Sequence, residues 1–261
     1  MTGEAPLLVQ RRDAVAVVTF NRPEKLNALS TPVLDRLDEA LGDLEADAGV
    51  RAVVLTGAGP KAFVAGADIG EYAGQTREGF AAYQRRSRTL FDRIDGFPRP
   101  TVAAVNGYAL GGGFEIVLCC DVIVASSNAV FGLPEGLLGL SPGGGGTQRL
   151  TRAAGPFVAS DVLLAGRRLS ADDARALGLV AAVVAPDALF YAAVEKAEAM
   201  TRVAPLAARE MKRLVAAALD VGLDEGLTIE TETLLRLFET RDAAEGIAAF
   251  VEKRPPRFEG S

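Results

Sequence analysis

Apolar and polar positions follow two rhythms along this chain. Residues 14–20 (AVAVVTF), 50–57 (VRAVVLTG) and 101–107 (TVAAVNG) are short continuous apolar runs. Runs of that length without alternation predict strands covered on both faces. DVIVAS (121–126), AVFG (129–132) and LVAAVVA (179–185) predict further strands. Between them the spacing becomes helical. Leu34, Leu37, Leu41 and Leu44 recur on one face, and Thr31 followed by Pro32 reads as an N-cap and first turn. Residues 77–95 and 112–120 read as helices, and from 187 to 253 only helices are predicted. Ser170 with Asp173 makes a capping box, and Gly178 stands where a C-terminal stop belongs. Strand–helix alternation over about two thirds of the chain, followed by a helical tail, predicts an α/β core. The strand–turn–strand–helix rhythm reads as a degenerate internal repeat without a fixed period.

Composition narrows the function. The 261 residues are 49% hydrophobic and 24% charged, enough for a sizeable core. Net charge is −6, from 28 basic and 34 acidic residues, which leaves no electrostatic footprint for nucleic acid. The start, MTGEAPLLVQRRDAV, lacks a basic segment followed by a long apolar stretch, so no signal peptide is read and a cytoplasmic location is the expectation. The apolar windows 114–125 and 179–194 are broken by Glu115, Asp121, Pro186 and Asp187, so no membrane span is expected. Cys119 and Cys120 are adjacent and read as small buried hydrophobes, not as a disulfide or metal set. The absence of histidine removes Ser–His–Asp and Cys–His catalysis and imidazole-based zinc sites. Acid–base work near neutral pH then falls to carboxylates with raised pKa, or to Lys, Tyr or Cys with lowered pKa.

The glycine clusters fail as nucleotide motifs. GAGPKAF (57–63) lacks the third glycine of a dinucleotide fingerprint, and SPGGGGTQR (141–149) lacks the lysine of a P-loop. Gly111, Gly112 and Gly113 stand just before a helix, whose first N–H groups are unpaired. Two readings are open: amides that hold a developing oxyanion, or a tight turn that needs glycine for packing. Glu115, amid Phe114, Ile116, Val117 and Leu118, is either a general acid–base with raised pKa or an acid complementing the helix dipole. Glu135, in FGLPEGLLGL, is either a second titrating acid or a solvated loop residue. After KAFV, the small residues Ala65, Gly66 and Ala67 permit close approach and a second backbone donor, or else form a plain loop with Asp68 as a helix cap.

Together NRPEKLNAL, AFVAGADI, AAVNGYALGGGFE, FGLPEGLLGLSPGGGGTQRL and AFVEKR resemble the enoyl-CoA hydratase/isomerase (crotonase) family, in order from about residue 14 to 258. The resemblance implies a spiral core of ββα turns over residues 1–200, carrying the acyl-CoA site, and a helical trimerisation segment over 201–261. It implies an acyl-CoA substrate, no separate cofactor, no metal, and a homotrimer or dimer of trimers. The amides of Ala67 and Gly112 are expected to form the oxyanion hole. Ala67, Asp68, Ile69, Gly70, Gly111 and Gly112 are expected to bind the substrate, and Ala65 to border the adenine. Lys25 and Leu26 fall where the family contacts CoA. Phe250 and Lys253 fall where a neighbouring subunit reaches the nucleotide end. Hydratases of the family keep glutamate at the positions of Glu115 and Glu135. The pair therefore implies syn-addition of water to a 2-trans-enoyl-CoA, with Glu115 deprotonating the water and Glu135 delivering the proton to Cα.

Two departures stand out. Gly70 replaces a lysine found in many hydratases, and bulky Phe114 and Leu133 are expected to narrow the acyl pocket. The alternatives are double-bond isomerisation or another CoA-thioester reaction, a non-catalytic CoA-binding paralogue, and RNA binding through a basic helix. The arginines of residues 77–93 are read as a solvated face, against that last alternative.

Overall fold

The computed structural model describes residues 5–261. In chain order the elements are β1 (Leu7–Arg12), β2 (Val15–Phe20), α1 (Thr31–Ala46), β3 (Ala52–Gly57), β4 (Ala62–Ala65), α2 (Arg77–Asp95), β5 (Thr101–Val105), β6 (Tyr108–Leu110), α3 (Gly112–Val117), β7 (Val122–Ser126) and β8 (Val130–Gly132). They continue with α4 (Gly146–Ala154), α5 (Pro156–Leu164), β9 (Leu169–Ser170), α6 (Ala171–Ala176), β10 (Ala182–Val184), α7 (Leu189–Thr201), α8 (Pro205–Ala217), α9 (Leu223–Phe238) and α10 (Arg241–Glu252).

The strands form two sheets, ordered β1-β2-β3-β5-β7-β10 and β4-β6-β8-β9. Pairs β3/β4, β5/β6 and β7/β8 each send one strand to each sheet, and a helical stretch follows every pair. This is a spiral of ββα units. The continuous apolar runs are explained by what covers them. On one face of the larger sheet Val15, Val17, Val54, Val102 and Val124 pack against Leu189, Ala193, Val194 and Ala197 of α7. The alternate residues Val18, Val53, Leu55, Ala103 and Ile123 point into the main core. Successive strand side chains point to opposite faces, so a sheet covered twice must be apolar throughout.

Local signals hold in part. Ser170 and Asp173 form the capping box, and Gly178 follows α6 in the left-handed region at φ 78°. The N-cap of α1 is Ser30, not Thr31. Thr31 instead gives its N–H and hydroxyl to the Glu71 carboxylate at 2.9 and 2.8 Å, so a carboxylate forty residues away satisfies that helix start. Three strands escape the sequence pattern. In β1 five of six residues are exposed, while β6 and β9 span only three and two residues.

Candidate active site

The loop at residues 22–29 brings the first wall of the site into place. Asn27 is buried in the left-handed region and donates to the carbonyls of Ala58 and Ala62, while its Oδ1 accepts from the Arg22 amide. Leu29, anchored by this loop, pairs with the strand end at Ala67: its amide donates to Gly66 O, and its carbonyl accepts from Asp68 N. The Ala67 amide lies between those two bonds and takes part in neither.

The second wall is the start of α3. Gly111 sits at φ 51°, ψ −125°, a region that only glycine occupies readily, and a Cβ there would come 3.0 Å from Glu135 Oε1. A Cβ at Gly113 would lie 1.9 Å from Val64 O, so this glycine serves close packing of α3 on β4. Gly112 faces the cavity between them. The two readings of the triplet thus divide among its members: packing at Gly113, an available amide at Gly112. Among the described residues, neither the Gly112 nor the Ala67 amide donates to a protein acceptor.

Glu115 is 4% exposed. Its Oε1 accepts from the amides of Gly144 and Gly146, each at 2.8 Å. Burial pushes its pKa up, while those two amides and the Arg149 charge pull it back. Glu135 has a contrasting environment. Its buried Oε2 has no hydrogen-bond partner among the described residues. Burial first, and the nearby Glu115 charge in addition, push its pKa up to about 7. One acid is thus braced by donors to its ionised form, and the other is left where the proton is preferred.

Both acids line a single cavity of about 210 Å³ with Ala65, Ala67, Ile69, Gly111 and Gly112. That volume lies below the usual range of roughly 300–1,000 Å³ for ligand pockets. Seven of the expected site residues therefore meet in one place. Lys25, Leu26, Asp68, Gly70, Phe250 and Lys253 do not line this cavity. Leu26 supports it through its carbonyl, which accepts from Ala65 N at 3.1 Å. Asp68 caps no helix by its side chain and forms an ion pair with Arg22 at 3.1 Å. Phe250 is exposed on α10, and Lys253 ends that helix in the left-handed region. Phe114 and Leu133 do not narrow the cavity: both are buried in the core, where Phe114 packs against Phe131 at 5.3 Å.

Sequence reasoning missed several contributors. The glycine run at 143–146, dismissed as a failed P-loop, supplies the amides that hold Glu115. The logic applied to Gly111–Gly113 would have found it, since glycines before a helix present free N–H groups. Arg149 locks that run by donating to Gly144 O at 2.8 Å while bridging to Asp92 and Asp95 at 3.1 and 3.0 Å. Tyr72, Tyr83, Gln84 and Ser87 line the far side of the cavity. Tyr83, Gln84 and Ser87 share one face of α2, but nothing in the sequence says which face turns inward. On α2, Arg86, Arg88 and Arg93 are paired with acids of α1 or α2: Asp35, Asp92, and Asp38 with Glu45.

Successive ββα turns thus bring two carboxyl groups and two main-chain amides without a protein acceptor, among the described residues, to the wall of one cavity. The chain belongs to the enoyl-CoA hydratase/isomerase family, whose profile matches residues 10–261. It is 41% identical to the short-chain-enoyl-CoA hydratase of Clostridium acetobutylicum over 248 residues, 95% of each chain. It is 41% identical to the 2,3-dehydroadipyl-CoA hydratase of Escherichia coli over 255 residues, 97% of this chain and 98% of that one. The crystal structure of enoyl-CoA hydratase from Bacillus anthracis matches with a TM-score of 0.94 at 38% identity, covering 98% of this chain and all of that one. Among the described residues there is no cluster of His, Cys, Asp or Glu suited to a metal ion, and no helix is long and apolar enough to cross a membrane.

Proposed function

We propose that this protein is an enoyl-CoA hydratase that adds water in the syn sense across the double bond of a 2-trans-enoyl-CoA. The observation that carries the reading is the placement of two carboxyl groups in one cavity, one held by two amides and the other with an unpaired buried oxygen, beside two amides without a protein acceptor among the described residues. The relatives' hydratase names agree with it.

In this mechanism the thioester oxygen accepts from the Ala67 and Gly112 amides. Glu115, ionised and held by Gly144 and Gly146, takes a proton from the water. The water oxygen bonds to C3 as the C2–C3 π pair moves onto the thioester, forming an enolate. Glu135 then gives its proton to C2, and the product is a 3-hydroxyacyl-CoA. Proton transfer from Glu115 to Glu135 resets the pair. Each backbone donor is worth about 3–4 kcal/mol to such an oxyanion, and positioned acid–base help about 10²–10⁴-fold. No bound cofactor is used, since coenzyme A is part of the substrate.

The residues outside the cavity are assigned to the rest of the substrate. Lys25 and Leu26 are assigned to contacts with coenzyme A, Asp68 and Gly70 to the substrate, and Phe250 and Lys253 to the nucleotide end of a neighbouring subunit's ligand. The helical segment 201–261 serves trimer formation. Its large exposed apolar side chains, among them Leu223, Leu227, Leu234, Leu235 and Phe238, support that assignment.

Incubation with crotonyl-CoA tests the reading. Loss of the conjugated-thioester absorbance with a mass gain of one water is expected. A shifted double bond with no added water would mean isomerisation instead. Glu115→Ala and Glu135→Ala should each lower hydration by at least ~10²-fold while still binding CoA esters. Normal turnover by either variant removes that acid from the mechanism.

A further inference from the structure

The cavity has polar lining that the hydration chemistry leaves unused. Ser87, on α2, lines the cavity and is buried, and its Oγ has no hydrogen-bond partner among the described residues. A helical serine usually relieves such burial by donating to the carbonyl four residues back. Thr89, one position past its neighbour, does this with Arg85 O at 2.9 Å, but Ser87 does not. The Tyr83 hydroxyl is nearby but gives its proton to Leu29 O at 3.0 Å, and no well-aligned bond joins it to Ser87. Leaving a buried hydroxyl unpaired is destabilising, so alanine would be the better residue if the site served packing alone.

The surroundings of Ser87 are mixed. Tyr72 and Gln84 also line the cavity, and the Gln84 Nε2 donates to the Tyr72 hydroxyl at 3.3 Å. Phe80 and Phe91 supply the apolar wall, with the Tyr72 and Phe80 rings edge to face at 5.0 Å. Charge restricts what the cavity accepts. Among the described residues no lysine or arginine lines the cavity, whereas Glu115 and Glu135 both do. A carboxylate brought here would leave water for a cavity that already holds two carboxyl groups, and would meet no cation among the lining residues.

We infer that the acyl pocket selects short 2-enoyl-CoA esters whose far end carries a neutral oxygen, such as a hydroxyl, which pairs with Ser87, and that it rejects esters ending in a carboxylate. This rests on the hydratase reading above, and names the substrate class of the same site.

The test compares kcat/KM for matched esters. 5-Hydroxypent-2-enoyl-CoA is set against hex-2-enoyl-CoA, and 6-hydroxyhex-2-enoyl-CoA against hept-2-enoyl-CoA, so that a hydroxyl replaces a methyl at constant length. 2,3-Dehydroadipyl-CoA supplies the carboxylate, and crotonyl-CoA reports hydration as such. In at least one pair the hydroxylated ester should be favoured by about tenfold, the effect of one well-made hydrogen bond. Ser87→Ala should bring that ratio to about one, a comparison made within each variant, so lost folded protein cancels. The carboxylate ester should run at least ~10-fold below the favoured hydroxylated one. If crotonyl-CoA is hydrated but neither pair favours the hydroxyl, or Ser87→Ala leaves the ratio in place, or the carboxylate ester keeps pace, the inference is overturned and the hydratase reading stands. If no ester is hydrated, the hydratase reading itself fails and this one falls with it.

Discussion

The decisive residue-scale feature is a difference between two glutamates. Glu115 accepts from two amides, whereas the buried oxygen of Glu135 accepts from nothing among the described residues. Folding lifts the Glu135 pKa from 4.5 to about 7. The sign for stability follows directly. Between those values the folded state keeps a proton that the unfolded chain has lost, so stability falls as pH rises through the window, and the full cost is present above about pH 7. Glu135→Gln should therefore stabilise the protein at pH 8 by about 1–2 kcal/mol, a figure reduced for solvent reach through the cavity mouth. Near pH 4 it should change little, and paired denaturant titrations at the two pH values check this. For the same reason kcat/KM should decline as pH rises above about 7, where Glu135 loses its proton. An alkaline limb that begins well above that region would remove Glu135 as proton donor. The residue types were legible in the sequence, because an acid inside an apolar run is costly. The contrast between them was not, because it depends on donors and neighbours distant in the chain.

Among the elements, the glycine run before α4 and the arginine that locks it set the geometry of Glu115. Arg149 ties Gly144 to α2 through Asp92 and Asp95, and its charge lowers the Glu115 pKa. Arg149→Gln should lower kcat by about tenfold and move the acidic limb of the rate profile to higher pH. A purely structural role would lower stability without shifting that limb, so the pH profile separates the two. Glycine at 113 is equally demanding. With a Cβ 1.9 Å from Val64 O, Gly113→Ala forces α3 away from β4 and should destabilise by about 3 kcal/mol or more, measured as a drop in unfolding midpoint. Elements with self-contained signals were legible: the capping box at Ser170 and the apolar face of α1 depend only on neighbouring residues. The N-cap of α1 was misread because Glu71 bonds to Thr31 from outside the helix. β6 and β9 were missed because two or three residues carry no periodicity.

For the molecule as a whole, ββα turns place strand ends and helix starts from separate units around one cavity. The helical segment after Thr201 then leaves large side chains such as Leu223, Leu234 and Phe238 exposed on the isolated chain. Sedimentation at micromolar protein should give the mass of a trimer or of two trimers, and a monomer mass at that concentration would remove the assembly role assigned to residues 201–261. Cys119 and Cys120 play no part in this account. Their thiols bond to the carbonyls of Glu115 and Ile116, and burial pushes both pKa values up, as small core residues should behave.

The sequence by itself determined the α/β class, the strands covered on both faces, the helical tail, the family, and two acids as the candidates for proton transfer. Each of these is written in local spacing or in motifs read in order. Tertiary structure decided which amides remain free, which acid is braced and which is left unpaired, and which face of α2 lines the cavity. Those outcomes depend on groups tens of residues apart meeting in a space that excludes water, where a single missing partner changes whether a carboxyl group keeps its proton.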